Sequence, residues 1–195
     1  MGGYFYINFP SRVASHWNFA GQVDGYAGRV EGAFALPMLL LAMYLLFLVL
    51  PVVDPKRERY VEFDNYYKLF RAAIMAVLLV VYTAMGLFNL GYPIKIGTVV
   101  SGSIGILFVV LGSFMGKIKS NWFMGIRTPW TLSSEKVWNK THQMGGWLFV
   151  IYGLMIIATP YLPQNWGMYL FVAGAVILVM GTMVYSYWLY SQEKR

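Results

Sequence analysis

Five long apolar segments dominate the pattern of hydrophobic and polar positions, and none of them contains a charged residue. They are Ala33–Val53, Ala72–Leu90, Ile96–Gly116, Gly145–Leu162 and Gly167–Tyr190. Each is 18 to 24 residues long, and a helix needs about 20 residues to cross a hydrocarbon core of about 30 Å. Because a backbone in lipid must satisfy its own hydrogen bonds, we expect all of them to be helices. The pattern therefore predicts an all-α, polytopic membrane protein with about five transmembrane helices.

Composition supports a lipid environment. Of the 195 residues, 58% are hydrophobic and only 12% are charged, whereas a soluble domain carries about 25% charged residues. Too few polar side chains are therefore present to cover a water-facing globule. The chain contains no cysteine, which excludes disulfides, thiolate nucleophiles and cysteine-ligated metals.

The basic residues are distributed unevenly between the connecting segments. Twelve of the 15 lie in Asp54–Arg71, in Lys117–Met144 and at the C-terminal pair Lys194 and Arg195. The others are Arg12, Arg29 and Lys95. Because cytoplasmic loops are enriched in Lys and Arg, the bias predicts a cytoplasmic C-terminus and an external segment 1–32. The topology thus accounts for the net charge of +7, and no direct contact with nucleic acid is expected.

The polar segment between the third and fourth apolar runs carries the signals of a helix start. Thr128-Pro129 favours an extended or turn conformation at the threonine. Ser133 or Ser134 can then cap a helix, with Glu135 against its positive end. We expect this helix to run into the fourth span with one face formed by Val137, Trp138 and Thr141. The segment predicts a cytoplasmic interfacial helix, held at the membrane by Trp122, Trp130 and Trp138.

Two motifs carry a family resemblance. The inner motif contains Gly125, Arg127, Thr128, Pro129, Trp130, Glu135, Trp138, Thr141 and His142. The outer motif contains His16, Trp17, Asn18, Gly21 and Asp24, in an ordered loop whose Asp24-Gly25 pair suits a tight turn. The inner motif resembles the signature of the Sdp immunity protein (SdpI) family. The outer motif resembles the short domain of unknown function that often precedes that signature.

The resemblance implies a bacterial cell-membrane protein that protects its producer from a secreted toxic peptide. It also implies signalling, in which the protein holds a small winged-helix autorepressor at the membrane. We expect the outer motif to bind the peptide and the inner motif to bind the intracellular partner. Relatives usually carry a further helix before the outer motif, so either the start is truncated or this member works with five helices and an extracytoplasmic segment 1–32 ahead of the bundle 33–195. The alternative function is an envelope-maintenance or lipid-binding role, since membrane lipids are partners in either case.

Catalysis and ion-coupled transport are disfavoured by the placement of ionisable residues. His16 and His142 are predicted to lie on opposite sides of the membrane, so they cannot share a metal ion within one protomer. A site that joins His142 to carboxylates remains an open alternative, with Glu62, Asp64 and Glu135 as candidates. The five runs contain no ionisable group of the kind that proton relays and transporters use. We therefore expect no enzymatic activity, no metal and no cofactor.

Two further features have a functional and a structural interpretation. Arg127 could clamp a carboxylate, a phosphate or a lipid headgroup with its fork of donors, or it could anchor its own loop through carbonyls. The third apolar run carries small residues along one helical stripe, namely Gly97, Ser101, Gly105, Gly112 and Gly116. Such a stripe lets another helix approach closely, either within the monomer or in a homo-oligomer.

Overall fold

A computed structural model describes residues 1–193 of the chain. Five helices are long and apolar enough to cross a membrane, which confirms the predicted polytopic α-helical fold. The elements in order are α1 (Gly2–Asn8), β1 (Arg12–Trp17), β2 (Val23–Gly28), α2 (Arg29–Val53), α3 (Tyr60–Asn89), α4 (Ile96–Phe114), α5 (Pro129–Ser133), α6 (Glu135–Ala158) and α7 (Gln164–Glu193). The basic residues Lys194 and Arg195 lie outside the described residues.

Two of the spanning helices begin well before the apolar runs that revealed them. Helix α3 starts at Tyr60, before the run that begins at Ala72, and it carries a kink at Phe63 with non-helical dihedrals. Helix α6 starts at Glu135, before the run that begins at Gly145. An apolar run reports only the part of a helix that matches the hydrocarbon thickness, so polar turns beyond it are not counted. These polar turns build the end of the bundle described below.

The N-terminal segment contains a hairpin whose turn is not where the sequence suggests. The predicted tight turn at Asp24-Gly25 is wrong, since both residues lie within β2, which pairs antiparallel with β1. The turn is centred instead between Asn18 and Gly21. The Asn18 side-chain oxygen accepts hydrogen bonds from the backbone N–H of Ala20 and of Gln22, at 2.9 and 3.0 Å. Gly21 supplies the positive φ of 75°, which costs glycine little.

Asn89 holds the hairpin against the spanning helices. Its side-chain oxygen accepts from the N–H of Ala14 at 2.7 Å, and its side-chain nitrogen donates to the carbonyl of Ala14 at 2.9 Å. The amide thereby pairs with β1 as a neighbouring strand would. Val13 of the same strand is fully buried against Gly32 of α2. We call this end of the bundle, which carries β1 and β2, the hairpin end.

The glycines of α4 pack against glycines of α6 within one chain. A Cβ added at Gly112 would lie 2.5 Å from the carbonyl oxygen of Gly146, and one at Gly105 would lie 2.6 Å from that of Gly153. The two backbones therefore touch at two levels. This confirms the interpretation of the stripe as packing within the monomer for the inner part of α4. Gly97 at the other end of the stripe has no such neighbour within 4 Å.

Candidate functional site

The two long basic connectors and the end of α7 meet at one end of the bundle, which we call the basic end. Arg59, just before α3, forms an ion pair with Glu135 at the start of α6. Ser134 donates a hydrogen bond to Glu193 of α7 at 2.5 Å. These contacts tie together segments that are distant in the sequence. Which side of the membrane the basic end faces stays a prediction from the charge bias.

Asp54 is a buried carboxylate at the centre of the basic end, and only 2% of its surface is exposed. One oxygen accepts from the backbone N–H of Lys56 at 2.7 Å. The other accepts from the Tyr60 hydroxyl and from the backbone N–H of Trp122, both at 3.0 Å. The carboxylate therefore fastens the segment between α4 and α6, which we call the third connector, to the start of α3. Sequence reasoning missed this residue, although its position directly after an apolar run was a usable signal.

Asn121 organises the same connector from within. It is fully buried, and its side-chain oxygen accepts from the N–H groups of Phe123 and Met124, at 2.9 and 2.7 Å. Its side-chain nitrogen donates to the carbonyls of Lys119 and Met124, at 2.8 and 3.1 Å. An amide with both ends used in this way fixes a loop that has no secondary structure of its own. Sequence reasoning did not single out Asn121.

His142 is buried and uses both ring nitrogens for structure. Nε2 accepts from the backbone N–H of Ile126 at 2.9 Å, so Nδ1 carries the proton and donates to the carbonyl of Trp138 at 2.8 Å. The ring is therefore neutral and has no lone pair free for a metal. Among residues 1–193, no group of three or more His, Cys, Asp or Glu side chains could hold a metal ion. The open alternative of a site that joins His142 to Glu62, Asp64 or Glu135 gains no support.

Trp138 is not the interfacial anchor that the sequence predicts. It is fully buried, stacks on the His142 ring with centroids 4.0 Å apart, and donates from Nε1 to the carbonyl of Ile118 at 2.8 Å. The connector folds over this face of α6 and covers it, which helical periodicity alone could not reveal. Trp122 is exposed, as an anchor requires. Trp130 is partly buried and packs on Tyr187 of α7, with ring centroids 5.1 Å apart.

The predicted helix start is confirmed in detail. Thr128 is extended, with φ −111° and ψ 163°, and its side chain caps α5 in a capping box with Thr131. Pro129 occupies the first position of α5, where its missing N–H costs nothing. Ser134 caps α6 by accepting from the N–H of Val137 at 3.3 Å. Local sequence chemistry thus sets both helix starts.

The residues of the inner motif divide into a buried frame and an exposed surface. Thr141 is buried with Trp138 and His142 and belongs to the frame. The exposed members are Gly125, Arg127, Pro129 and Glu135. Arg127 donates from Nη1 to the carbonyl of Trp122 at 2.7 Å. It therefore anchors its own loop through a carbonyl, as one of its two interpretations predicted. Because its side chain is exposed, its other donors remain open to a ligand, and the clamp stays a prediction.

The outer motif divides in a similar way. Asn18 and Gly21 build the hairpin turn, as described above. His16 and Asp24 form an exposed pair across the two strands, with Nδ1 and Oδ1 2.5 Å apart. Trp17 packs edge-on against Phe88 at 5.3 Å between ring centroids. Its buried Nε1 has no hydrogen-bond acceptor within residues 1–193.

A cavity of about 1110 Å³ lies beneath the hairpin, between α2, α3, α4, α6 and α7. Trp17 lines it from the hairpin, and Gly97 and Ser101 line it from α4. The outer part of the small-residue stripe thus opens a space instead of packing a helix. Glu31 and Lys95 are the charged residues among the lining side chains. Sequence reasoning missed the cavity, although the small residues at the outer end of the third span were its signal.

Comparisons with known proteins match both motifs. Residues 117–186 match the model of the SdpI/YfhL protein family. Residues 1–41 match the Domain of unknown function (DUF1648). The chain is similar to Immunity protein SdpI from Bacillus subtilis (strain 168), with 23% identity over 187 residues, covering 96% of this chain and 87% of that protein. No solved structure gives a significant match. The resemblance drawn from the motifs is therefore confirmed.

Proposed function

Because residues 117–186 match the model of the SdpI/YfhL protein family, we propose that the chain is a bacterial membrane immunity protein. It binds a secreted toxic peptide at the hairpin end and passes the signal to an intracellular partner at the basic end. The main observation in favour of peptide binding is the cavity beneath the hairpin. The similarity to a protein named for immunity supports the proposed immunity role. No catalytic step is part of the proposal.

The cavity suits a peptide with an apolar segment. At about 1110 Å³ it exceeds the range of about 300–1000 Å³ that holds most small ligands. Its walls are mostly apolar, while Glu31 and Lys95 can orient charged groups. Trp17 also lines the cavity, and its aromatic ring offers apolar surface to the side chains of such a peptide. A peptide that acts on membranes would thereby be held before it reaches the bilayer interior.

A bulky side chain placed in the cavity is expected to weaken protection without unfolding the bundle. In Gly97→Leu the new side chain enters open space, because nothing lies within 4 Å of a Cβ at this position. It occupies volume that the peptide needs, so we expect at least a tenfold loss of affinity, equal to about 1.4 kcal/mol. The measurement is survival of a sensitive bacterial strain that expresses the chain, challenged with a panel of secreted antibacterial peptides. A strain with empty vector defines sensitivity.

Gly102→Leu is the matched control. Gly102 lies on the same helix, also has no neighbour within 4 Å of a Cβ, and is not among the cavity-lining residues. This variant should protect as well as the wild type. If Gly97→Leu protects equally well, the peptide does not bind in this cavity. If the wild-type chain fails to raise survival against every peptide of the panel, the immunity role itself is wrong.

We assign the binding site for the intracellular partner to the exposed part of the inner motif. Arg127, Pro129 and Glu135 present charged and rigid groups next to one another along the chain, on a connector held in place by Asp54 and Asn121. A rigid frame beneath an exposed surface is typical of a recognition site. The partner that the family resemblance implies is a small winged-helix repressor, which the protein would hold away from DNA.

The Arg127→Lys variant is expected to lose most partner recruitment while protection and folding stay normal. A lysine can replace the single bond to the Trp122 carbonyl, so the loop keeps its anchor. It cannot reproduce the planar fork that binds a carboxylate with two parallel bonds. The measurement is membrane recruitment of a fluorescent repressor, paired with survival under peptide challenge. Arg57→Lys, at an exposed arginine of the same end, is the control. Full recruitment by Arg127→Lys would show that positive charge alone suffices.

Signalling between the two ends requires two arrangements of the bundle, of which the peptide binds one more tightly. Helix α6 reaches both sites. Ile156 near its C-terminus lines the cavity, and Trp138 and His142 near its N-terminus frame the connector. A small displacement of α6 against the glycines of α4 would therefore act on both ends. Spatial continuity alone is no evidence of coupling, so the test is whether recruitment of the repressor by the wild-type chain depends on the peptide.

A further inference from the structure

A second cavity, of about 400 Å³, lies at the basic end between the start of α3, the turn after α4, and α6. Lys117 lines it from the turn, Lys119 from the residues that follow the turn, and Asn139 and Gln143 from α6. We refer to it as the lysine pocket. The contacts proposed above for the intracellular partner do not involve these four residues. Its chemistry therefore needs a separate explanation.

The lysine pocket has an excess of positive charge. Its one carboxylate, Glu62, lies 3.6 Å from Lys119 Nζ and also 3.6 Å from Arg59 Nε, so two cations already share it. Lys117 is exposed and has no ion-pair or hydrogen-bond partner within the part of the chain that the structure describes. An uncompensated ammonium in a concave site favours an anionic ligand.

Neutral donors complete the pocket. Asn139 and Gln143 are four residues apart on α6 and so face the same side. Neither amide has a side-chain hydrogen bond to another described residue, which leaves their N–H groups available. Gly116 lets the turn after α4 approach Gln143 closely, since a Cβ there would lie 3.2 Å from Gln143 Cγ. Two amides and an ammonium around one cavity match the oxygens of a phosphate group.

The position of the pocket favours a lipid over a soluble phosphate. The Met115–Lys117 turn directly follows the last residue of α4, where the apolar span ends, so the pocket lies at headgroup level. Trp147, one turn further along α6 from Gln143, is 70% exposed and offers apolar surface to an acyl chain. Basic pockets between helices at this depth are known binding sites for anionic headgroups. We propose that the lysine pocket binds the phosphate of an anionic phospholipid of the phosphatidylglycerol class.

The test uses the full chain purified in a neutral detergent, with thermal unfolding as the readout. Adding phosphatidylglycerol at about a hundredfold excess over its dissociation constant should raise the unfolding midpoint by at least about 5 °C. Phosphatidylcholine should give less than half of that shift, because its headgroup carries no net charge. Lys117→Gln should lose more than half of the phosphatidylglycerol shift. Since Lys117 is exposed, its midpoint without lipid should equal that of the wild type.

Lys136→Gln is the matched control, because it removes the same charge from an exposed lysine of the same end outside the pocket. It should keep the full shift. Equal shifts with both lipids, a full shift in Lys117→Gln, or an equal loss in Lys136→Gln would each overturn the proposal that an anionic headgroup binds in the lysine pocket. Inorganic phosphate at millimolar concentration should give no shift. If it reproduces the lipid effect, the site binds free phosphate and the lipid assignment is wrong.

Discussion

The Gly112→Ala variant is expected to be about 3 kcal/mol less stable than the wild type, at the upper end of the cost of overpacking. A single methyl group there would lie 2.5 Å from the backbone carbonyl oxygen of Gly146. A carbonyl within a helix cannot rotate away as a side chain can, so α4 and α6 must separate. The measurement is thermal unfolding in detergent, where we expect a midpoint lower by about 6–12 °C.

Gly102→Ala is the control for helix propensity, because a methyl group at Gly102 meets nothing within 4 Å. On the same helix it should be neutral or slightly stabilising, since alanine favours helices by about 1 kcal/mol over glycine. Gly146→Ala blocks the same contact from the other side, at 2.7 Å from the Gly112 oxygen. The double variant should therefore cost much less than the sum of the two single ones. Equal midpoints for Gly112→Ala and Gly102→Ala would disprove the close contact.

The Asp54→Asn variant is expected to lose about 2–3 kcal/mol and to loosen the third connector. The carboxylate accepts from three donors with its two oxygens. An asparagine retains one oxygen and turns an N–H₂ group towards at least one of those donors. The site is buried, so water cannot supply the missing acceptor, and hydrogen bonds to charged groups are worth about 1.5–3 kcal/mol. Thermal unfolding and protease sensitivity of the segment around Trp122 measure both effects.

Asp64→Asn is the matched control for Asp54→Asn. Asp64 pairs with Lys68 at 2.5 Å on the surface of α3, with half of its side chain exposed. Exposed pairs four residues apart on a helix contribute only about 0.3–0.5 kcal/mol. This variant should therefore unfold almost as the wild type does. If both variants lose the same stability, general charge removal explains the effect, and the three donors around Asp54 are unimportant.

The spanning helices could be predicted from the sequence because bilayer thickness acts on each helix separately. An apolar run such as Ile96–Gly116 meets the length requirement whatever its neighbours are, and α4 covers Ile96–Phe114. The helix starts at Pro129 and Glu135 could also be predicted, because a capping residue bonds to backbone within three positions and the signal is therefore local in the sequence. The inner motif was also readable, because it is a continuous stretch of chain.

The contacts that build the sites join residues far apart in the sequence. The bond from the Trp122 N–H to Asp54 spans 68 positions, and that from the Ala14 N–H to Asn89 spans 75. No periodicity or spacing rule relates such positions. The same limit explains the error at Trp138, whose burial depends on a connector folding over α6. The hairpin turn was misplaced because the Asn18 side chain accepts from the N–H groups of Ala20 and Gln22 and so forms the turn ahead of Asp24-Gly25.

The small-residue stripe on α4 could be predicted from the sequence, but the contacts that its residues make could not. Its small residues are visible in the sequence and predict a close approach of some kind. Only the arrangement of the five helices makes Gly105 and Gly112 a contact with α6 and leaves Gly97 at an open cavity. Hydropathy acts through the solvent that surrounds each segment, so it is encoded residue by residue. Packing depends on which surfaces meet, and that is a property of the assembled bundle.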